Sequence, residues 1–257
     1  MSSYSWGNKM IGLLDSGVGG LSIYQEIVRR NPGTAVVYFA DKENFPYGEK
    51  SDIELAIIVR KAIKTLIKYG ANIVVLACNS ATVSTVKKLR TEFEIPIIGI
   101  EPAVKQAGRV SRNGRIGVLA TSRTTADHDS EVLAPDCSLC KVHHGSLVAM
   151  IENDYKGVTD GVLADAMGPF ILADVDTIAL GCTHYHFVKD RLELLYPNIT
   201  FLAPTEAVVN HFEDVVRDKE IELGVGNDIF LVSADHLGFE NSLHNLLGIE
   251  NADIRKI

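Results

Sequence analysis

The sequence predicts an α/β fold of two related lobes, each built on a mainly parallel sheet, and three observations carry that expectation. Runs such as Ile73-Val74-Val75-Leu76 are apolar throughout rather than alternating, the pattern of strands buried on both faces. These runs alternate with stretches of helical spacing, the order of βαβ units. The order then begins again. Leu76-Ala77-Cys78-Asn79-Ser80 has an echo 104 residues on, Leu180-Gly181-Cys182-Thr183-His184, and Ile11-Gly12-Leu13-Leu14 has one 105 residues on, Ile116-Gly117-Val118-Leu119. Two echoes at almost one spacing, both at strand ends, point to a duplicated lobe with a pseudo-twofold relation.

In chain order, residues 10–14 make the first strand, which ends in the loop Asp15-Ser16-Gly17-Val18-Gly19-Gly20. Leu21, Tyr24, Ile27 and Val28 then recur at helical spacing. A strand over 35–40 leads into Asp41-Lys42-Glu43-Asn44-Phe45-Pro46-Tyr47-Gly48-Glu49-Lys50, a loop at the carboxyl end of a strand, where binding residues gather. On composition alone this is equally a plain turn with a packed tyrosine. Ser51-Asp52-Ile53-Glu54 caps a helix running to about residue 69, which Gly70 stops. After the Cys78 strand come a helix over 80–93, a strand over 96–100 and a break at Glu101-Pro102.

The second lobe is expected to hold strands over 116–120, 138–142, 177–180 and 199–202, with helices over 145–153, 159–173 and 184–195. Beyond Pro204, a helix over 206–216, a strand over 229–232 and a helix over 235–247 exceed what the repeat requires. The expected organisation is therefore a first lobe over 1–100, a second over 101–204, and a tail over 205–257 that packs back on the first. A cleft between the lobes is the natural binding site.

Composition narrows the function. A formal charge of -8 and a pI near 5.5 argue against a nucleic-acid-binding surface, which needs clustered Lys and Arg. An anionic small substrate remains compatible, because backbone N–H groups at strand–loop–helix junctions can cradle it locally. No apolar run reaches the roughly 18 residues of a membrane span, and the start, Met1-Ser2-Ser3-Tyr4-Ser5-Trp6, lacks a signal-peptide layout, so a cytoplasmic protein is expected. Four cysteines in 257 residues are too sparse for a disulfide scaffold and read as free thiols.

Two thiols at equivalent strand ends suggest a specific chemistry. If Cys78 and Cys182 approach one cleft from opposite sides, a carbon held between them has a sulfur on each face. Reacting atoms about 3 to 3.5 Å apart set the sulfurs roughly 7 Å from each other. One thiolate then takes a proton from one face while the opposite thiol donates one to the other, which inverts a stereocentre. Thiols suit the task because their ordinary pKa of about 8.5 lets one member act as base and the other as acid near neutral pH. The duplication is broken at two places: Asp15 aligns with Ala120, and His184 with Ser80. An acid and an imidazole there can steer protons on and off a thiol. Singly, each cysteine reads better as a buried structural thiol, and only the aligned pair favours chemistry; His184 alone also reads as a helix-start residue with a local hydrogen bond, and Asp15 as a helix cap.

Two other constellations compete. Gly17-Val18-Gly19 falls short of a dinucleotide fingerprint, since Ser22 stands where a third glycine is needed, although Asp41 sits about where a ribose-binding acid would. Cys137-Ser138-Leu139-Cys140, followed by His143-His144, has the spacing of half a zinc site or a redox pair. The pair is expected on a strand, however, where residues three apart face opposite ways.

Taken together, Asp15-Ser16-Gly17-Val18-Gly19-Gly20, Pro46-Tyr47-Gly48, Ala77-Cys78-Asn79, Ile100-Glu101-Pro102-Ala103-Val104-Lys105 and Leu180-Gly181-Cys182-Thr183-His184-Tyr185 resemble, in order, the motifs of the cofactor-independent glutamate racemases within the aspartate/glutamate racemase superfamily. The resemblance implies two flavodoxin-like lobes, with the active site between them and no PLP, metal or nucleotide in the chemistry. It implies interconversion of L- and D-glutamate to supply peptidoglycan synthesis. Cys78 would serve the D side and Cys182 the L side, assisted by Asp15 and His184, with Glu152 as a further acid near the second cysteine. Ser16, Pro46, Tyr47, Gly48, Asn79, Ser80, Thr121 and Thr183 would hold the ammonium and carboxylates. A homodimer is expected, and a cell-wall precursor is the effector to test. The chain departs from the usual motifs at Ser80, where a threonine is common, at His186-Phe187, and in the tail at Pro204-Thr205-Glu206 and Ser233-Ala234-Asp235-His236. These departures bear on substrate affinity and regulation more than on the reaction.

Overall fold

Residues 9–100, 103–122, 124 and 137–257 are described by the computed structural model. The break expected at Glu101-Pro102 and the opening Met1 to Trp6 lie outside the described residues. The chain divides into two compact units. One takes the described residues up to Ile100 together with Thr205–Ile257, and the other the described residues between Ala103 and Pro204.

The first unit is built on a six-stranded sheet in the order β10-β9-β2-β1-β3-β4. Its strands are β1 (Met10–Asp15), β2 (Val36–Ala40), β3 (Ala71–Leu76), β4 (Ile97–Ile98), β9 (Ile229–Val232) and β10 (Asp253–Lys256), and every named pairing is parallel. Apolar runs on both sides of the pleat explain this. Met10, Leu14, Val37, Phe39, Val74 and Leu76 pack with Leu55, Val59, Ala62, Ile63 and Leu66 of helix α2 (Asp52–Lys68). The opposite side buries Ile11, Leu13 and Tyr38, the last stacked edge-on or tilted against Tyr24 of α1 (Leu21–Arg30), Phe230 of β9 and Phe239. The expected cap is present, with Ser51 Oγ accepting from the Glu54 N–H at 3.3 Å, and Gly70, at φ +104°, ends the helix in a conformation that favours glycine.

The second unit carries a four-stranded sheet, β6-β5-β7-β8, from β5 (Arg115–Ala120), β6 (Ser138–His143), β7 (Thr177–Gly181) and β8 (Thr200–Leu202). This order repeats β2-β1-β3-β4 strand for strand, and the registers repeat with it. Ile11 lies opposite Ile73 in one sheet as Ile116 lies opposite Thr177 in the other. The duplicated α/β architecture read from the two echoes is thus realised, in the 2-1-3-4 order of flavodoxin-like sheets. The two units also hold helices α3 (Asn79–Glu92), α4 (Val104–Val110), α5 (Gly145–Asn153), α6 (Asp160–Leu172), α7 (Lys189–Leu195), α8 (Thr205–Asp218) and α9 (His236–Leu247), with short 3-10 turns between elements.

Three differences from the expected elements stand out. The stretch over 184–195 is not one helix: Thr183–Val188 is a 3-10 turn and α7 starts only at Lys189. Helix α4 and strand β10 were not foreseen. The former is short and contains Gly108, and the latter, Asp253-Ile254-Arg255-Lys256, is a charged edge strand with little apolar signal. Among the described residues, no helix is long and apolar enough to cross a membrane.

Candidate active site

The cysteines picked out by the echo stand just past the carboxyl ends of their strands, Cys78 two residues after β3 and Cys182 directly after β7, each at the residue before the helical segment that follows. Cys78 precedes α3 with φ -135° and ψ 124°, and Cys182 precedes the 3-10 turn with φ -143° and ψ 134°. The two backbones match, and each residue is only 8 % exposed. All four cysteines, Cys137 and Cys140 included, are free thiols.

Around Cys182 the side chains form a relay. His184 Nδ1 lies 3.6 Å from the Cys182 sulfur, and His184 Nε2 lies 2.8 Å from Glu152 Oε2. Helix α5 delivers that carboxylate because Val148 and Glu152, four residues apart, share its buried face beside Leu147 and Ile151. Burial works against a charged imidazole at His184. The hydrogen bond and charge of Cys182, with those of Glu152, outweigh it and raise its pKa well above the ordinary histidine value. Tyr185 closes the other side, its hydroxyl donating to the His144 carbonyl at 3.2 Å; burial, with the Cys182 charge, pushes that phenol up. His184 is therefore not a helix-start residue with a purely local bond.

Asp15 lies at the end of β1, where the Ala77 N–H donates to the Leu14 carbonyl at 2.8 Å, one residue before Cys78. It does not cap α1. Its Oδ1 accepts from the Gly17 N–H at 2.7 Å, and the helix opens at Gly20 with no side-chain cap. Gly20 supplies room rather than an unusual backbone. A Cβ there would meet Ala77 Cβ at 2.8 Å, Asp15 Cβ at 2.9 Å and the Tyr38 hydroxyl at 2.9 Å, so only glycine lets the loop close over the strand end. Close approach also explains Gly181, the last residue of β7, where a Cβ would stand 2.7 Å from Ala120 Cβ, the position equivalent to Asp15.

Of the binding residues implied by the resemblance, Ser16, Asn79 and Ser80 are buried near the Cys78 strand end, and Thr183 is buried beside Cys182. The Asn79 carbonyl oxygen is buried with no hydrogen-bond partner among the described residues. Thr121 is half-buried, its hydroxyl 3.1 Å from that of Thr124. Tyr47 is buried and its hydroxyl donates to Asp41 Oδ2 at 2.7 Å, so the phenol is engaged within the protein. Pro46 and Gly48 flank it, half-buried, at a short 3-10 turn, Tyr47–Glu49. Asp41, weighed in the sequence only as a ribose-binding acid, instead receives Tyr47, Asn44 and Ser233. The sequence shows Ser233 only as part of the divergent tail motif and not as a partner of Asp41, because a partner almost 200 residues away leaves no local signal.

The competing thiol pair sits at β6, with Cys137 just before the strand and Cys140 within it. Cys140 lies in β6 opposite Gly117, burial pushes its thiol up, and among the described residues no group of three or more His, Cys, Asp or Glu side chains is placed to hold a metal ion.

Comparison with known proteins agrees with the α/β architecture. The profile of the family described as Asp/Glu/Hydantoin racemase matches residues 11–212. The chain is 38 % identical over 219 residues to a glutamate racemase of Pseudomonas paraeruginosa, covering 82 % of this chain and 83 % of that protein. It is 31 % identical over 256 residues to that of Haemophilus influenzae, covering 95 % of each. Among solved structures, glutamate racemase isoform RacE1 of Bacillus anthracis superposes with a TM-score of 0.84 at 27 % identity, over 97 % of each chain. The Escherichia coli glutamate racemase, solved in complex with L-glutamate and the activator UDP-MurNAc-ala, also scores 0.84 at 26 % identity, over 96 % of this chain and 97 % of that one. With duplicated 2-1-3-4 sheets, equivalent thiols at their strand ends, and relatives matched along nearly the whole length, this chain belongs to the Asp/Glu/hydantoin racemase family.

Proposed function

We propose that the chain interconverts L- and D-glutamate without PLP, using Cys78 and Cys182 as its two acid–base groups. The observation that carries the reading is the Cys182–His184–Glu152 relay, and the other unit has a thiol in the same backbone setting. From L-glutamate, the Cys182 thiolate takes the α-proton: the C–H bond breaks, an S–H bond forms, and its electron pair stays on carbon. The Cys78 thiol then gives its proton to the opposite face. Cys78 is left as thiolate and Cys182 as thiol, the pair needed for the reverse direction.

The neighbours have separate parts in this reading. His184, held by Glu152, orients toward the Cys182 sulfur and exchanges its proton, as a base is fixed by a third group in other nucleophile–base pairs. Asp15 does the same for Cys78. The Asn79 carbonyl oxygen accepts from the substrate ammonium, which gives that buried acceptor a partner. Ser16, Ser80, Thr121 and Thr183 offer hydroxyls to the carboxylates, and the Pro46-Tyr47-Gly48 turn contributes its backbone, since the Tyr47 phenol already serves Asp41.

Incubation with L- or D-glutamate in heavy water, followed by circular dichroism and deuterium content, tests the reading directly. Deuterium should enter the α-position from either enantiomer. Cys78→Ser and Cys182→Ser should each lower racemisation by about 10² to 10⁴-fold. An unchanged rate from either variant removes the two-base reading, and exchange with aspartate but not glutamate moves the substrate to the shorter acid.

A cytoplasmic place in the supply of D-glutamate for peptidoglycan belongs to the same reading, and the four free thiols fit a reducing compartment. So does a homodimer, which light scattering on the purified chain checks. The activator in the Escherichia coli structure makes UDP-MurNAc-ala the effector to add to the assay.

A further inference from the structure

The tail of the chain reaches the loop that carries Tyr47, and it does so through two independent contacts. Strand β9 pairs with β2 in a register that sets Val232 opposite Ala40, so the next residue of each, Ser233 and Asp41, leave the sheet side by side. The Ser233 hydroxyl donates to Asp41 Oδ1 at 3.0 Å and accepts from the Glu43 N–H at 2.9 Å. Asp41 is buried and takes two further donors from its own loop, the Asn44 amide at 3.0 Å and the Tyr47 hydroxyl at 2.7 Å. Two residues beyond Ser233, Asp235 Oδ2 pairs with the Lys42 ammonium at 2.9 Å. The Lys42 side chain is only 6 % exposed whereas that of Asp235 is 53 % exposed, so the pair is anchored at its lysine end and meets solvent at the carboxylate. Asp235 Oδ1 meanwhile caps α9 through the Gly238 N–H at 3.1 Å, and the hydrogen bond from the Lys42 ammonium, with its charge, holds the carboxyl below the usual range.

We propose that the turn between β9 and α9, through Ser233 and Asp235, clamps the loop over 41–48 and thereby sets the affinity for substrate. Ser233 and Asp235 are positioning residues, since their bonds go to Asp41, Lys42 and Glu43 of the loop. They act through Asp41 and Lys42 on the Pro46-Tyr47-Gly48 turn. The inference rests on the racemase reading for the identity of the substrate, but the clamp itself is a property of the first unit alone. It gives the divergent tail motif Ser233-Ala234-Asp235-His236 a role, and it locates the departure from the family pattern at the loop's buttress rather than at the thiols.

The test uses the full chain and glutamate, with Ser233→Ala, Ser233→Thr and Asp235→Asn, read by racemisation kinetics and by amide hydrogen exchange over residues 42–49. Ser233→Ala should raise KM about tenfold, the scale of one lost hydrogen bond to a charged group, with kcat within about twofold of the parent. Ser233→Thr keeps the hydroxyl and should restore KM. Asp235→Asn should raise KM in the same direction, and both Ala and Asn variants should speed exchange across the loop while the β5 and β7 amides keep their rates. A KM and loop exchange unchanged in Ser233→Ala and Asp235→Asn overturn the clamp, as does a fall in kcat with KM constant. If the parent chain does not racemise glutamate, the racemase reading fails, and loop exchange alone still decides whether the clamp exists.

Discussion

Glu152 is a carboxylate in a place where a charge is expensive, deep in the second unit and 2.8 Å from an equally buried imidazole. Its effect on that imidazole can be read through pH. The folded pKa of His184 lies above its unfolded value, so its protonation stabilises the fold fully below about pH 6.5 and that contribution is lost as pH rises through the folded value. Glu152→Gln keeps the shape and removes one of the groups that raise it. The variant should therefore be less stable than the parent, with the deficit widest near pH 6 and narrowing toward alkaline pH. Thermal unfolding across that range checks this, and a deficit that does not vary with pH would mean that Glu152 acts by packing alone. In the assay the same variant should lose about 10- to 100-fold in exchange, the size expected from one hydrogen bond to a charged group. Asp15→Asn addresses the other thiol. It should slow exchange starting from D-glutamate more than from L-glutamate in single-turnover measurements, and an equal loss in both directions would reassign Asp15 to binding.

At the scale of single elements, close approach explains more than propensity. Gly20 has φ -65°, a conformation open to any residue, so its value lies in the missing side chain. Gly20→Ala places a methyl under 3.0 Å from three packed groups, at a cost of about 1–3 kcal/mol, and displaces the Asp15 loop. Both a lower urea midpoint and a slower exchange rate are expected, and an unchanged midpoint would show that the loop relaxes freely. The sequence made this loop visible as strand, glycines and helix, because period and glycine content are local. It did not reveal why Gly20 is needed, since the constraint comes from Ala77, more than 50 positions away. The same limit explains α7. Apolar spacing around Tyr185 and Val188 reads as helix, yet Tyr155 donates to the Phe187 carbonyl at 2.8 Å and His184 is drawn to Cys182 and Glu152, which leaves a 3-10 turn before the helix proper. By contrast Ser51 and Gly70 mark both ends of α2 through bonds made within four residues, and there sequence and structure coincide.

On the scale of the whole molecule, the duplication was legible because it is written twice, in strand ends that recur at nearly constant spacing, and the matching order of four strands in each sheet follows from it. The charged edge strand β10 was not legible, because an edge needs no apolar period. The tail strand β9 makes the first unit discontinuous in sequence: Phe230 sits among Tyr24 at 5.3 Å, Tyr38 at 6.1 Å and Phe239 at 6.0 Å between ring centres, so residues far apart in the chain share one core. The second unit has a core of its own, from Ala103, Val104 and Ala107 to Ile116, Val118, Ala120 and Ala179. Phe230→Ala should therefore destabilise the first unit by about 3–5 kcal/mol without a cavity in the second. In native-state hydrogen exchange the amides of β1, β2 and β3 should lose protection, whereas Val118 and Ala179 should keep theirs, as expected for separately opening cooperative units. Equal loss in both sheets would instead mean that the two cores melt as one, and a substitution in the tail would then reach Cys182 as readily as it reaches Cys78.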